Sequence, residues 1–281
     1  MLEGYLTMVN LHIPPDGLQG VEEGYEATAS FCLIDWRLQQ RNPSTVPMFK
    51  DLRGNSKMCD GTLISVDLFK VAREARAYDA QLNSTKTNQK DVAHPVAPTG
   101  VVFHETRCGS TLTANLLSSF SPSHTRVYSE SPPPVTAFNH CDRFPCNPRL
   151  HTQLIQDVFY MMGRTLRAEQ PQYLFFKIQS IGVMNIDKFT AAFPDTPWVF
   201  LYRDSVEVMQ SHLKGMDKKW TFRTRSPVCA RNFHSVYQPP TTQQLIESKK
   251  KSMEDMSGVE YCAAHLVCIN ITVGANILAL A

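Results

Sequence analysis

The chain has 281 residues, 43% of them hydrophobic and 19% charged, with a formal net charge of +2. That is the balance of a globular protein with room for a sizeable core. A net charge so close to zero excludes nucleic-acid binding through bulk electrostatics, so any anion must be held by a local arrangement of donors.

In chain order, residues 1–30 are weakly patterned, carry Pro14-Pro15 and several glycines, and read as a loosely packed arm. Helix-like pieces follow from Asp35 to Ala80. The clearest runs over 66–82, where Leu68, Phe69, Ala72, Ala75 and Ala77 alternate with Lys70, Arg73, Glu74 and Arg76. The polar stretch 83–99 ends Pro-rich and reads as a linker. Residues 1–95 are therefore expected to form a partly helical N-terminal extension, and residues 96–281 a second unit.

In that second unit short apolar runs alternate with helical periods. Strands are predicted over 101–104, 126–129, 173–178 and 198–202, and helices over 111–120, 151–169, 186–193 and 205–213. This alternation predicts an α/β fold with a parallel sheet and helices on both faces. Residues 263–281 are mostly apolar but are interrupted by His265, Asn270 and Asn276, which predicts a core helix running into a strand rather than a bilayer span. The N-terminus lacks a basic start followed by an apolar core, so no secretory signal is read and a cytoplasmic location is expected. Eight cysteines form no C-x-x-C motif, and no histidine pair has zinc-ligand spacing. Thiols in a reducing compartment, and no metal, are the expectation.

Two stretches carry anion-binding chemistry. The first is FHETRCGSTLTANLL, Phe103 to Leu117. A strand, a tight loop with Gly109 and a following helix put backbone N–H groups at a positively polarised helix end, which suits phosphate or sulfate. Arg107 adds a planar permanent cation, and Ser110 and Thr111 add hydroxyls. The bland alternative is a strand-to-helix turn with a serine cap. The second is FLYRDSVEVMQSHL, Phe200 to Leu213. Arg203 stands at the carboxyl end of a buried strand, where ligands bind in open α/β sheets. Ser211 follows eight residues later on a helix and can face the same side. The bland alternative is an Arg203–Glu207 surface pair with a solvated serine.

Together these stretches resemble the nucleotide-binding elements of the sulfotransferase family, which uses 3′-phosphoadenosine 5′-phosphosulfate (PAPS) on a P-loop α/β fold. TRCGSTL resembles the family's loop for the 5′-phosphosulfate, which implies cofactor contacts from Arg107, Cys108, Gly109, Ser110 and Thr111. PWVFLYRDSVEVMQSHL resembles its element for the 3′-phosphate, which implies the same of Arg203 and Ser211. The family's usual Arg-Asp-Pro is Arg203-Asp204-Ser205 here. The resemblance spans about residues 100–215 and leaves residues 1–90 unexplained. Nothing after Val228 resembles the Gly-rich, Lys-containing loop of many cytosolic members. A truncated gene product would fit the apolar ending, and a Golgi location is then the alternative.

Glu130 in YSESPPP is held before three prolines in a rigid loop, suited to taking a proton from an acceptor hydroxyl. Some carbohydrate and protein-tyrosine sulfotransferases use a Glu in a similar place; the alternative is a carboxylate capping a turn. His104 and Glu105 are rival bases, with His104 also readable as a core histidine. Lys177 ends the strand YLFFKI at the same sheet edge, suited to neutralising charge on a leaving phosphate oxygen. The basic stretch Lys214, Lys218, Lys219, Arg223 and Arg225 around Trp220 reads as a solvated face or an acceptor contact.

The implied reaction is sulfuryl transfer from PAPS to a hydroxyl or amine of a small-molecule or carbohydrate acceptor. Arg107, Glu130 and Lys177 would be the catalytic groups, and no nucleic acid or metal would take part. The alternatives are an ATP- or GTP-dependent phosphotransferase, which needs a Lys directly after the loop glycine where Ser110 stands, and a nucleotide-binding module without catalysis.

Overall fold

A computed structural model describes residues 4–20, 24–59, 61, 63–84, 93–166, 171–213, 240–249 and 256–280. At the N-terminus, β1 (Thr7–His12), β2 (Thr28–Cys32) and β3 (Ile64–Asp67) pair antiparallel in that order. Residues 1–30 are thus not a loose arm in their described part, because Met8, Val9, Leu11, Ala29 and Phe31 are buried. A bulge between Met8 and Asn10 shifts the β1–β2 register and breaks the alternation by which a strand is read from sequence.

Between and after these strands lie α1 (Arg37–Arg41), α2 (Phe49–Asn55) and α3 (Leu68–Ser84). A short strand, β4 (Ala93–Pro95), ends the stretch expected to be a linker. The α/β unit follows as β5 (Gly100–His104), α4 (Ser110–Phe120), β6 (Thr125–Ser129), α5 (Pro132–Asn139), α6 (Pro148–Gly163), β7 (Arg164–Leu166), β8 (Tyr173–Lys177), α7 (Ile186–Ala192), β9 (Trp198–Leu201) and α8 (Ser205–Leu213). Strand β7 pairs with β4, so the second half of the predicted helix 151–169 is partly strand.

The other four strands form one parallel sheet in the order β6-β8-β5-β9. Strands β5 and β6 are buried along their whole length, as a sheet covered on both faces requires. Parallel crossovers are right-handed, so the link from β5 out to β6 and the links returning to β8 and β9 run over opposite faces. The order makes β9 the neighbour of β5, which sets the loop after β5 beside the loop after β9.

The N-terminal strands and the α/β sheet share one apolar cluster. Trp36 meets Tyr128 edge-on at 4.9 Å, and Tyr128 stacks on Phe176 at 5.0 Å. Gln39 closes the free edge of β6: its Nε2 donates to the Val127 carbonyl at 2.9 Å, and the Val127 N–H donates back to its Oε1 at 3.1 Å. A buried strand edge needs such partners.

The C-terminal stretch is α9 (Pro240–Ser248) and then one helix, α10 (Gly258–Leu280), not a helix running into a strand. Asn270 and Asn276 sit on α10 without breaking it, and His265 is buried. By length and composition 259–278 could cross a membrane, yet α10 packs Cys262 and Leu266 on Val208 of α8 and puts Ile269 and Val273 into the main cluster.

The cysteines depart from expectation. Cys32 is bonded to Cys59 and Cys141 to Cys146, and Cys262 is also in a disulfide. Separations of 27 and 5 residues carry no motif; the pairs join β2 to the 3-10 turn Lys57–Cys59 after α2 and close the loop between α5 and α6. Replacing Cys59 by Ser opens a loop of 27 residues and is expected to cost about 3.6 kcal/mol by the chain-entropy relation. In oxidising buffer the variant should unfold at a lower temperature than wild type, and the difference should vanish when both are under reductant; an unchanged midpoint in oxidising buffer would rule out a stabilising role.

Candidate functional site

The loop after β5 has unusual backbone geometry. Arg107 has φ 61° and Gly109 has φ 93°, both left-handed. Alternation of right- and left-handed residues turns successive N–H groups toward one point, the geometry of an anion nest. The first turn of α4 follows at once and adds N–H groups that have no intrahelical acceptor. A Cβ at Gly109 would meet nothing within 4 Å, so the space before the loop is open. Ser110 is buried at the helix start, while Arg107 and Gly109 are exposed.

Arg107 reaches across to the second predicted element, its Nε donating to Ser211 Oγ at 2.9 Å. The two residues are 104 positions apart and meet because β5 and β9 are neighbours, with His104 opposite Leu201. Arg203 does not complete this contact: its Nε pairs with Glu207 at 2.5 Å, the surface pair weighed as its alternative. Asp204 caps α8 by accepting from the Val206 and Glu207 N–H groups at 3.0 and 3.1 Å. Glu105, one of the rival bases, is fully buried, and its Oε2 accepts from the Arg203 N–H at 3.3 Å. It ties the ends of β5 and β9 together and is not presented to solvent. Burial pushes its carboxyl up, opposed by these hydrogen bonds.

Glu130 and Lys177 also meet. Lys177 is 1% exposed, and its Nζ donates to Glu130 Oε1 at 2.5 Å. Among the described residues only Arg107 and Glu130 are non-glycine residues with positive φ, Glu130 at 58°. Such backbone is costly and persists where surroundings over-determine it. For Glu130 the constraint is the β6–β8 ladder, since its N–H donates to the Lys177 carbonyl at 2.8 Å. The prolines after Glu130, expected to hold a rigid loop, instead start α5, which their fixed φ suits.

His104 joins the groups. Its Nε2 lies 3.4 Å from Glu130 Oε1, and its Nδ1 donates to the Glu105 carbonyl at 2.9 Å. It also touches the thiol of Cys108 in the anion loop. Burial disfavours the imidazolium, but the Cys108 and Glu130 contacts outweigh it and hold His104 above its ordinary value. Burial likewise raises Glu130, yet the hydrogen bonds from His104 and Lys177 and the Lys177 charge win, holding it at about 2. The cluster is an ionised carboxylate bonded to the Lys177 ammonium, with the His104 imidazole beside it.

Sequence reasoning missed two contributors. Met48, just before α2, sets its sulfur 3.8 Å from Lys177 Nζ and 3.6 Å from Ser129 Oγ. No motif marks it. His212 is buried behind Ser211, held near 4 by burial and then by the Arg107 charge, and lies beside His265 of α10. The basic stretch 214–225 is outside the described residues. No protein-family model, curated protein or solved structure matches this chain.

A carboxylate held low stabilises the fold above its unfolded value of 4.5, and that contribution is lost as pH falls through about 2. Glu130→Gln is expected to cost about 3 kcal/mol at neutral pH, the lower end for breaking a buried pair, and its deficit should shrink below pH 4. Thermal unfolding from pH 2 to 7 reads this; a pH-independent deficit would mean that the lost contact is not ionic.

Proposed function

We propose that the protein is a PAPS-dependent sulfotransferase that moves a sulfuryl group to a hydroxyl or amine of a small-molecule or carbohydrate acceptor. The observation that carries this reading is the contact between Arg107 of the loop after β5 and Ser211 of α8, made at the same sheet edge as the Glu130–Lys177 pair. The donor set fits a phosphosulfate: open N–H groups, an exposed guanidinium and hydroxyls, with fixed cations behind them. An ATP loop needs a Lys after Gly109, and Ser110 stands there.

In this reading Arg107, the loop amides and the hydroxyls of Ser110 and Thr111 hold the phosphosulfate end. Arg203 and Ser211 hold the 3′-phosphate. Arg203 leaves Glu207 to do so, which costs little because exposed ion pairs contribute about 0–1 kcal/mol. PAPS supplies the sulfuryl group. The acceptor oxygen or nitrogen forms a bond to sulfur as the bond from sulfur to the bridging phosphate oxygen breaks, and 3′-phosphoadenosine 5′-phosphate (PAP) leaves. Glu130 takes the acceptor proton, and Lys177 neutralises the charge on the departing oxygen.

The ion pair gives these two roles an order. Paired with Lys177, Glu130 is a weak base. When the Lys177 ammonium turns to the leaving oxygen, Glu130 loses its closest cation and its proton affinity rises. Base strength is thus coupled to engagement of the donor. The five disulfide-bonded cysteines described above favour an oxidising compartment over the cytoplasm, so a secretory-route lumen such as the Golgi is part of this proposal.

Thermal unfolding with PAP, ATP–Mg²⁺ and GTP–Mg²⁺ tests the reading. PAP at about 100 times its Kd should stabilise the fold by about 2.7 kcal/mol. Stabilisation by a triphosphate and not by PAP would instead establish the phosphotransferase. PAP binding with no transfer to any acceptor would establish the inactive binding module. Arg203→Ala should weaken PAP by about 1.5–3 kcal/mol, as for a charged hydrogen bond, and leave adenosine 5′-phosphosulfate, which has no 3′-phosphate, unaffected. Equal losses for both nucleotides would refute the assigned role of Arg203.

A further inference from the structure

Next to the chain segment that carries Glu130 lies a cavity of about 410 Å³, lined by Pro132 but not by Glu130 or Lys177, that the proposed chemistry has not used. One wall is α2, which presents Lys50, Arg53 and Gly54 one turn apart; the opposite wall is Pro132, two residues after Glu130. Along the chain, each wall follows a residue of the Glu130–Lys177 cluster or one in contact with it. The residue before α2 is Met48, whose sulfur touches Lys177 and Ser129, and the loop before Pro132 is that of Glu130. Val9 of β1 and Cys59, bonded to Cys32, complete the lining and fix α2 in place.

The lining chemistry narrows the occupant. Val9, Phe49 and Cys59 are 1%, 2% and 5% exposed, so they offer almost no apolar surface to a ligand. The rest of the lining is the exposed Lys50, the half-buried Arg53, Gly54, Gly61 and the exposed Pro132. Neither Lys50 nor Arg53 has an ion pair among the described residues. Two uncompensated cations on one helical face select an anion, with Arg able to grip a carboxylate or sulfate through two donors. A ligand without apolar bulk but with hydroxyls and negative charge fits such walls; an aromatic peptide side chain does not.

Resting on the sulfotransferase reading, we infer that this cavity is the acceptor site and that the acceptor is an anionic saccharide. Lys50 and Arg53 hold a carboxylate or sulfate on the saccharide, and one of its hydroxyls is turned toward Glu130. The two cations thus set specificity, and the first third of the chain supplies the acceptor half of the site.

The test uses three probes: a uronate-containing tetrasaccharide, its carboxyl-reduced counterpart and an acidic tyrosine peptide. Binding to the full chain is read by calorimetry with and without PAP, and transfer by label from PAPS. Wild type should bind the charged tetrasaccharide at least about tenfold tighter than the reduced one, the equivalent of one charged hydrogen bond. Lys50→Glu with Arg53→Glu should erase that preference and keep PAP binding. Lys50→Glu alone, at an exposed side chain, should reduce it. Gly54→Trp puts bulk where a Cβ meets nothing within 4 Å and should weaken both saccharides alike. No preference between the saccharides, an undiminished preference in the double variant, or tighter binding of the peptide would overturn the inference. Failure of PAP to bind would instead remove the nucleotide reading, because the charge preference is measured without PAP as well.

Discussion

Ser129 stands opposite Lys177 in the parallel β6–β8 ladder, and one residue later the Glu130 N–H still donates to the Lys177 carbonyl. That register, more than any single side chain, decides where the buried charge sits. Lys177 is almost fully enclosed at the end of an apolar strand, so its ammonium needs a carboxylate within bonding distance. Glu130 meets the need only by entering the left-handed region, and β6, β8 and the prolines that follow hold it there. A slip of one residue would turn the Lys177 side chain to the opposite face of the sheet and break the pair. His104, on the strand next to β8, then finds its second partner in the same carboxylate.

The two halves of the proposed nucleotide grip follow a different rule. Arg203 and Glu207 are about half exposed, and Arg107 is also at the surface. Contacts there are screened by water and exchange at little cost. The Glu130–Lys177 pair is enclosed and exchanges only when another anion takes the ammonium. The exposed side chains are thus free to re-pair, whereas Glu130 and Lys177 are held in one arrangement. Behind α8, the packing of Val208 on Cys262 and Leu266 keeps Ser211 within reach of Arg107.

The parallel strands were legible because they are short, nearly continuous apolar runs, YLFFK in the middle of the sheet and WVFL at its edge, where Val199 stays exposed. Their order was not legible, and only the order brings Arg107 to Ser211. The N-terminal strands were hidden by the bulge at Met8–Asn10, which puts Met8 and Val9 inside together. Glu130, Lys177 and Arg107 stood out by residue type at strand ends. Met48 did not, because a methionine beside an ammonium has no sequence signature. Arg203 was placed at the right edge, yet its side chain pairs along its own helix. The disulfides depend on Cα distances of 5.1 and 5.4 Å that only the packed chain creates.

The Gln39 clamp on β6 also bears on how the protein is made. Its partner Val127 lies 88 residues further along the chain. A nascent chain emerges N-terminus first, so the three antiparallel strands and Trp36 leave the ribosome well before the strand edge and ring they pack against. Through that interval the amide of Gln39 and the indole of Trp36 face water or a chaperone. Completion of the first third of the molecule therefore waits on synthesis of β6, which closes a sheet edge, and then of α6, whose Asp157 accepts from Tyr25.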